Sequence, residues 1–185
     1  MATTTQTVWQ IDPAHTEAGF QTKHLMISKV RGRFAKVSGT ILLDEAELRN
    51  SSVTAEIDVA SIDTREEKRD AHLRSGDFFD AEKYPTITFR STRVEPTGSG
   101  EVRITGELKI RDVTREIVLL ATDEGRSKDP WGGERAGFSA TVKIDRRDFG
   151  LTWNQTLETG GVLVGNEIKL NLEVEAVKQA EEQVA

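Results

Sequence analysis

Three histidines, His15, His24 and His72, are the first side chains to test for chemistry, because imidazole ligates metals and moves protons near neutral pH. Their spacing fits no compact ligand set, and no H-E-x-x-H occurs. They are read as hydrogen-bonded structural histidines, and no metal site is expected. Asp70 and His72 resemble an acid–base pair on paper, yet residues two apart on a helix do not face each other. The chain has no cysteine, so thiolate chemistry is absent. No G-x-S-x-G places a serine as nucleophile. No catalytic residue is assigned. The remaining polar constellation is Asp145-Arg146-Arg147-Asp148. It reads as a salt-bridged turn between strands, or as a site where Arg146 or Arg147 meets the head group of a ligand through paired N–H donors.

The elements that must position these residues are mostly strands. Apolar and polar residues alternate through Glu17 to Lys23, Val30 to Phe34, Val37 to Leu43, Val53 to Val59, Glu101 to Arg111, Phe138 to Ile144 and Ile168 to Ala176. A period of two marks a strand with one buried face. Thr114 to Thr122 is apolar on both parities at its centre, so one of its faces is expected to be covered. Asp44 to Ser52, Glu95 to Gly100 and Asp123 to Gly133 read as loops. The interruption is Ser61 to Ser91. Thr64 and Glu67 form a T-x-x-E capping box, and Arg65 to Arg74 has no Pro, Gly or β-branched residue, so a helix is predicted there. Phe78, Phe79 and Tyr84 follow, then Pro85, then a strand from Thr86 to Ser91. The three aromatics read as a small core under the helix, as a cap over one end of the interior, or as both.

Eight antiparallel strands with one apolar face close naturally into a barrel, which removes exposed edges. The fold class expected is all-β with a short helical insertion. The inward parity places Phe20, Phe34, Ile41, Ile57, Phe89, Ile104, Leu108, Phe138, Val142 and Leu170 in one interior. Small residues share that parity: Ala18, Thr22, Gly32, Gly39, Ala55, Ser91, Gly106, Ala121 and Ala140. They leave room for a ligand, or the glycines mark tight bends needed for closure.

A chain of 185 residues suits one domain, with an ordered core of about residues 8–176 and polar ends. The net charge of −6 argues against a general affinity for nucleic acid or anionic membrane. The longest apolar run, Ile117 to Ala121, is far short of a membrane span. The start, MATTTQTVWQ, carries neither a basic region nor an apolar one, so a cytoplasmic protein is expected.

Three separated motifs carry a resemblance. They are Trp9-Gln10-Ile11-Asp12-Pro13-Ala14-His15, then Arg69-Asp70-Ala71-His72-Leu73-Arg74 with Asp77-Phe78-Phe79-Asp80 and Tyr84-Pro85-Thr86-Ile87-Thr88-Phe89, and Ile144-Asp145-Arg146-Arg147-Asp148-Phe149-Gly150. In this order, over about Val8 to Ala176, the chain resembles the YceI-like, polyisoprenoid-binding family. The resemblance implies an elongated, eight-stranded, lipocalin-like antiparallel barrel with an apolar channel. It implies non-catalytic binding, storage or transport of a long apolar lipid: a polyisoprenoid, an isoprenoid quinone or a fatty-acid derivative. The ligand-binding set is then the ten inward residues above, with Phe78 at one end and Arg146 at the head group. No cofactor is expected beyond a bound polyisoprenoid or quinone-like lipid. The partner is a hydrophobic small molecule, with a homodimer admitted as an assembly. Because Asp145 and Asp148 flank the arginine pair, a neutral head group is expected to bind at least as well as a diphosphate. Two rivals stand beside this reading. One is an enzyme acting on an isoprenoid or small apolar substrate in the same cavity, which needs an ionisable cluster inside. The other is a stress or interaction module with a packed barrel, which needs no void.

Overall fold

The computed structural model describes residues 5–158 and 160–180, so the polar ends expected at the termini lie largely outside the described residues. Alternation becomes strand throughout. The strands are β1 (Thr7–Ile11), β2 (Glu17–His24), β3 (Ser28–Phe34), β4 (Val37–Leu43), β5 (Ser52–Asp58), β6 (Ile62–Asp63), β7 (Thr86–Pro96), β8 (Glu101–Ile110), β9 (Val113–Lys128), β10 (Glu134–Asp145) and β11 (Glu167–Lys178). The single α-helix among the described residues, α1, spans Glu67–Arg74.

These segments make eight staves. In the upper half the order is β1-β4-β5-β7-β8-β9-β10-β11, and β11 pairs back onto β1, with Ile11 opposite Ala176. Every pairing is antiparallel. Below, β11 pairs with β2, β2 with β3, and β3 with β6. Three staves are therefore bent once. β1 passes into β2 through a single turn at Pro13–His15, where Asp12 accepts from the Ala14 N–H at 2.9 Å. β3 passes into β4 through Ala35 and Lys36. β5 passes into β6 through a turn at Val59–Ser61 capped by Asp58. The missing N–H of Pro13 and the two Asp caps make these bends cheap, since no strand bond is left unmade.

The lower end is plugged. Arg65 sits at φ 65°, which delays the helix to Glu67, and the expected Thr64–Glu67 capping box does not form. The Glu66 carboxylate caps instead, accepting from Lys68 N and Arg69 N at 3.2 and 2.6 Å. A carboxylate there also meets the positive end of the helix dipole. Thr64 is buried and turned to Asp70, whose carboxylate accepts from its N–H at 2.9 Å and from its hydroxyl. β7 runs past Ser91 to Pro96 through a bulge at Thr92, so the strand is longer than expected.

The wall is not uniform. β9 and β10 pair only between 120–128 and 134–141, then diverge. A short turn, Arg146–Phe149, enters the gap and sends Phe149 and Leu151 into the interior core. The cover expected outside Thr114 to Thr122 is absent among the described residues. Val118 and Leu120 point outward and are exposed.

Candidate functional site

The upper half of the barrel encloses an apolar cavity of about 260 Å³. Its walls come from Ile41 on β4, Val53 and Ile57 on β5, Phe89 and Val94 on β7, Ile104 and Leu108 on β8, Leu119 on β9, Phe138 on β10 and Leu170 and Leu172 on β11. The pleat puts them there: in each cross-strand pair, such as Phe89 opposite Leu108 or Val142 opposite Leu170, both side chains share a face. Only Glu17 and Asp123 among the lining residues ionise, and the other polar members, Thr16, Ser51, Thr122 and Ser139, have uncharged hydroxyls.

Seven of the expected ligand-binding residues meet in this cavity: Ile41, Ile57, Phe89, Ile104, Leu108, Phe138 and Leu170. The other five lie elsewhere. Phe20 and Phe34 point inward but belong to the filled lower half, where their rings pack at 5.5 Å and Phe34 meets Phe79 edge-on at 5.6 Å. Val142 shares the inward face of Leu170 but lies outside the cavity wall. Phe78 is buried under α1 against His72 and Trp153, at 5.1 and 5.4 Å between ring centres. It is a satellite core, and it does not cap the cavity.

Arg146 is the fifth. It is buried, and its guanidinium donates to the carbonyls of Gly165, Leu151 and Trp153 at 2.8 to 2.9 Å. Burial pushes its pKa down, yet the carbonyls satisfy its donors. It staples the segment 151–165 to the barrel floor. Arg147 pairs with Asp145 at 2.6 Å on the surface. Neither reaches the cavity, so the premise for a head group at 146–147 falls away.

The small residues on the inward parity divide in the same manner. A Cβ on Gly32 would lie 2.4 Å from the Phe20 ring, and one on Gly106 would lie 2.5 Å from Phe89. These glycines make room for phenylalanines of the chain itself. Ala18, Ala55, Ala121 and Ala140, by contrast, line the void.

Two of the histidines are hydrogen-bonded through their rings. His15 Nδ1 lies 2.8 Å from Asp12, and His72 Nε2 lies 2.9 Å from Asp77. His24 forms a backbone bridge to Val164. Asp12, His15 and Glu175 come close enough to hold an ion together, but a cation is already there. Arg135 donates to Asp12 and Glu175 at 2.8 Å each and to Asp129 at 3.2 Å. The hydrogen bonds from His15 and Arg135 hold the Asp12 carboxyl down at about 2.

One charged residue near the cavity escaped the sequence reading. Arg126 lies within 123–133, the stretch expected to be a loop. The structure carries β9 to Lys128 and places an extra residue, Glu124, in the strand: Asp123 opposes Phe138 while Arg126 opposes Ala136. That bulge reverses the parity and turns Arg126 inward. Its guanidinium lies over the rings of Trp9 and Phe138, 5.5 and 5.4 Å from their centres. It bonds Asp123 at 2.8 Å and Glu45 at 3.0 Å. Partial burial lowers its pKa, and the hydrogen bonds it donates to the two carboxylates outweigh that and raise it.

The YceI-like domain family matches residues 9–176. The chain belongs to the YceI-like family. It is 42% identical over 138 residues to a UPF0312 protein of Vibrio cholerae, covering 75% of this chain and 73% of the relative. The crystal structure of the Campylobacter jejuni YceI protein shares 38% identity at a TM-score of 0.70, covering 86% of this chain and 90% of that one. A polyisoprenoid binding domain from Saccharophagus degradans shares the fold at a TM-score of 0.67 with 14% identity, covering 92% and 98%. In YceI-like terms, the motif Asp145 to Gly150 is the floor of the barrel, and Asp12 to His15 is the bend in its first stave.

Proposed function

We propose that this YceI-like barrel binds the hydrocarbon chain of a lipid in its upper cavity, without making or breaking bonds. The ligand is a polyisoprenoid, an isoprenoid quinone or a fatty-acid derivative. One observation carries the reading: the interior void is lined by apolar side chains, and its ionisable lining residues number two. Transfer of a chain from water into such a space is favourable by about 0.8 kcal/mol per methylene. Part of that gain is offset by ordering the chain. A volume of about 260 Å³ lies near the lower end of ligand cavities. It therefore takes the terminal part of a chain, with the rest and the head group at the rim. The S. degradans domain, which has the same fold, is described as polyisoprenoid-binding and supports the ligand class. An enzyme would need an activated nucleophile or an acid–base pair facing the void, whereas the two carboxylates of the lining, Glu17 and Asp123, are paired with Arg33 and Arg126.

Native mass spectrometry of protein purified without detergent, followed by solvent extraction, tests this directly. A co-purified lipid is expected. Ile104→Trp supplies the second arm, because an indole at that wall fills the void while the barrel still folds. Lipid uptake should be lost at an unchanged far-UV spectrum. Undiminished uptake by the folded variant would rule out this cavity as the binding site.

A further inference from the structure

Glu45 and Arg126 join opposite sides of the barrel. Glu45 lies two residues beyond β4, and Arg126 lies on β9. Around the ring β1-β4-β5-β7-β8-β9-β10-β11, four steps separate β4 from β9 in either direction. The contact between them at 3.0 Å thus crosses the top of the barrel, over the cavity. The loop that carries Glu45 is preorganised. Asp44 is buried and accepts from the N–H groups of Ala46 and Glu47 and from Asn50, which fixes the turn. Leu48 and Ser51 of the same loop line the cavity, so the loop roofs it.

The two carboxylates on Arg126 are not equivalent. Asp123 belongs to β9 itself and takes both terminal nitrogens, at 2.8 and 3.0 Å. It holds the guanidinium over Trp9 and Phe138. Glu45 accepts through one oxygen from Nε at 3.3 Å and Nη2 at 3.0 Å. Its side chain is 65% exposed, so this second pair contributes little to stability and is readily exchanged.

We propose that Arg126 is the head-group site of this barrel and that the Glu45 carboxylate occupies the place of a ligand carboxylate. This rests on the cavity reading above. A fatty-acid-type amphiphile sends its chain past Phe138 into the void, and its carboxylate takes the Nε and Nη2 donors. Glu45 swings into solvent. The number of carboxylates paired with Arg126 is unchanged by this exchange, and the displaced Glu45 charge is solvated. A diphosphate brings extra negative charge beside Asp123, Glu45 and Glu124, which disfavours it. The order expected is carboxylate first, then a neutral head, then diphosphate.

The test is calorimetric titration of delipidated protein with dodecanoate, dodecanol and farnesyl diphosphate. The wild-type chain should bind dodecanoate at least about tenfold more tightly than dodecanol. Glu45→Gln removes the internal competitor and should tighten dodecanoate by about twofold to fivefold, leaving dodecanol unchanged. Arg126→Gln should bring the two probes to similar affinity. Should that variant fail to fold, Glu45→Gln decides alone, since an exposed loop carboxylate is dispensable to the barrel. Equal binding of the two dodecyl probes, or a Glu45→Gln variant that behaves as wild type, overturns the head-group assignment while the cavity reading stands. A diphosphate preference over dodecanoate overturns it too. Failure of all three probes to bind overturns the cavity reading underneath.

Discussion

The upper and lower halves of the barrel are built from the same alternating staves, yet one is hollow and the other is filled. In the lower half, Phe20, Phe34 and Phe79 stack in sequence, and Val59, Ile62, Phe149 and Leu151 close around them, each at most 5% exposed. Val59, Phe149 and Leu151 come from bends and turns that fold inward, Ile62 from the short β6, and Phe79 from the segment after α1. In the upper half, the interior is faced mainly by strand side chains and the 44–51 loop, and the wall is studded with alanines. Strand alternation puts a residue inside. Whether the inside is full depends on what else enters from the ends. A barrel of eight strands sits at the size where side chains just suffice to fill it, so a few extra residues decide between core and cavity.

Breaking the lower half should have the largest effect. Phe34→Ala removes a ring packed on two others and leaves a void in a dense core. The expected loss is about 3–5 kcal/mol in urea unfolding. Phe89→Ala makes the same chemical change at the cavity wall, where part of the ring already faces empty space. Its loss should be no more than about half as large, because fewer contacts disappear. Equal losses would show that the two halves are packed alike.

A second variant acts on the plug without touching the cavity. Asp70→Ala strands the buried Thr64 N–H, which donates to that carboxylate at 2.9 Å. A loss of about 2–3 kcal/mol is expected, with lipid uptake by the folded protein unchanged. Weakened uptake would mean that the plug and the cavity are coupled.

The smallest effect concerns pH. Asp12 titrates at about 2 in the folded chain against an ordinary 3.8, through His15 first and then Arg135. A depressed carboxyl contributes stability that is present above the unfolded value and is lost as pH falls through the folded one. Thermal stability should therefore decline between about pH 4 and pH 2, and Asp12→Asn should flatten that decline. This bend joins the halves, and an unchanged acid limb in the variant would place the acid sensitivity elsewhere.

The residues alone were enough for the barrel, its antiparallel staves and seven of the cavity-lining positions, because pleat parity is local and side chains two apart must share a face. The motifs from Trp9 to Gly150 were likewise enough for the YceI-like family. Four things were decided only in three dimensions. Phe20 and Phe34 share parity with Ile41 and Ile57, and no local signal says that Phe79, Phe149 and Leu151 arrive from distant turns to bury them. Arg146 reads as a ligand-facing cation until the carbonyls of Leu151, Trp153 and Gly165 are seen to take its donors, and those partners depend on the path of a glycine-rich segment. Arg126 reads as a loop residue because one extra residue, Glu124, reverses the alternation. A bulge is a fact about two strands in register, and a single strand does not carry it. The link from Arg126 to Glu45 depends on the closure of the whole ring, which alone brings β4 and β9 to opposite sides of one opening.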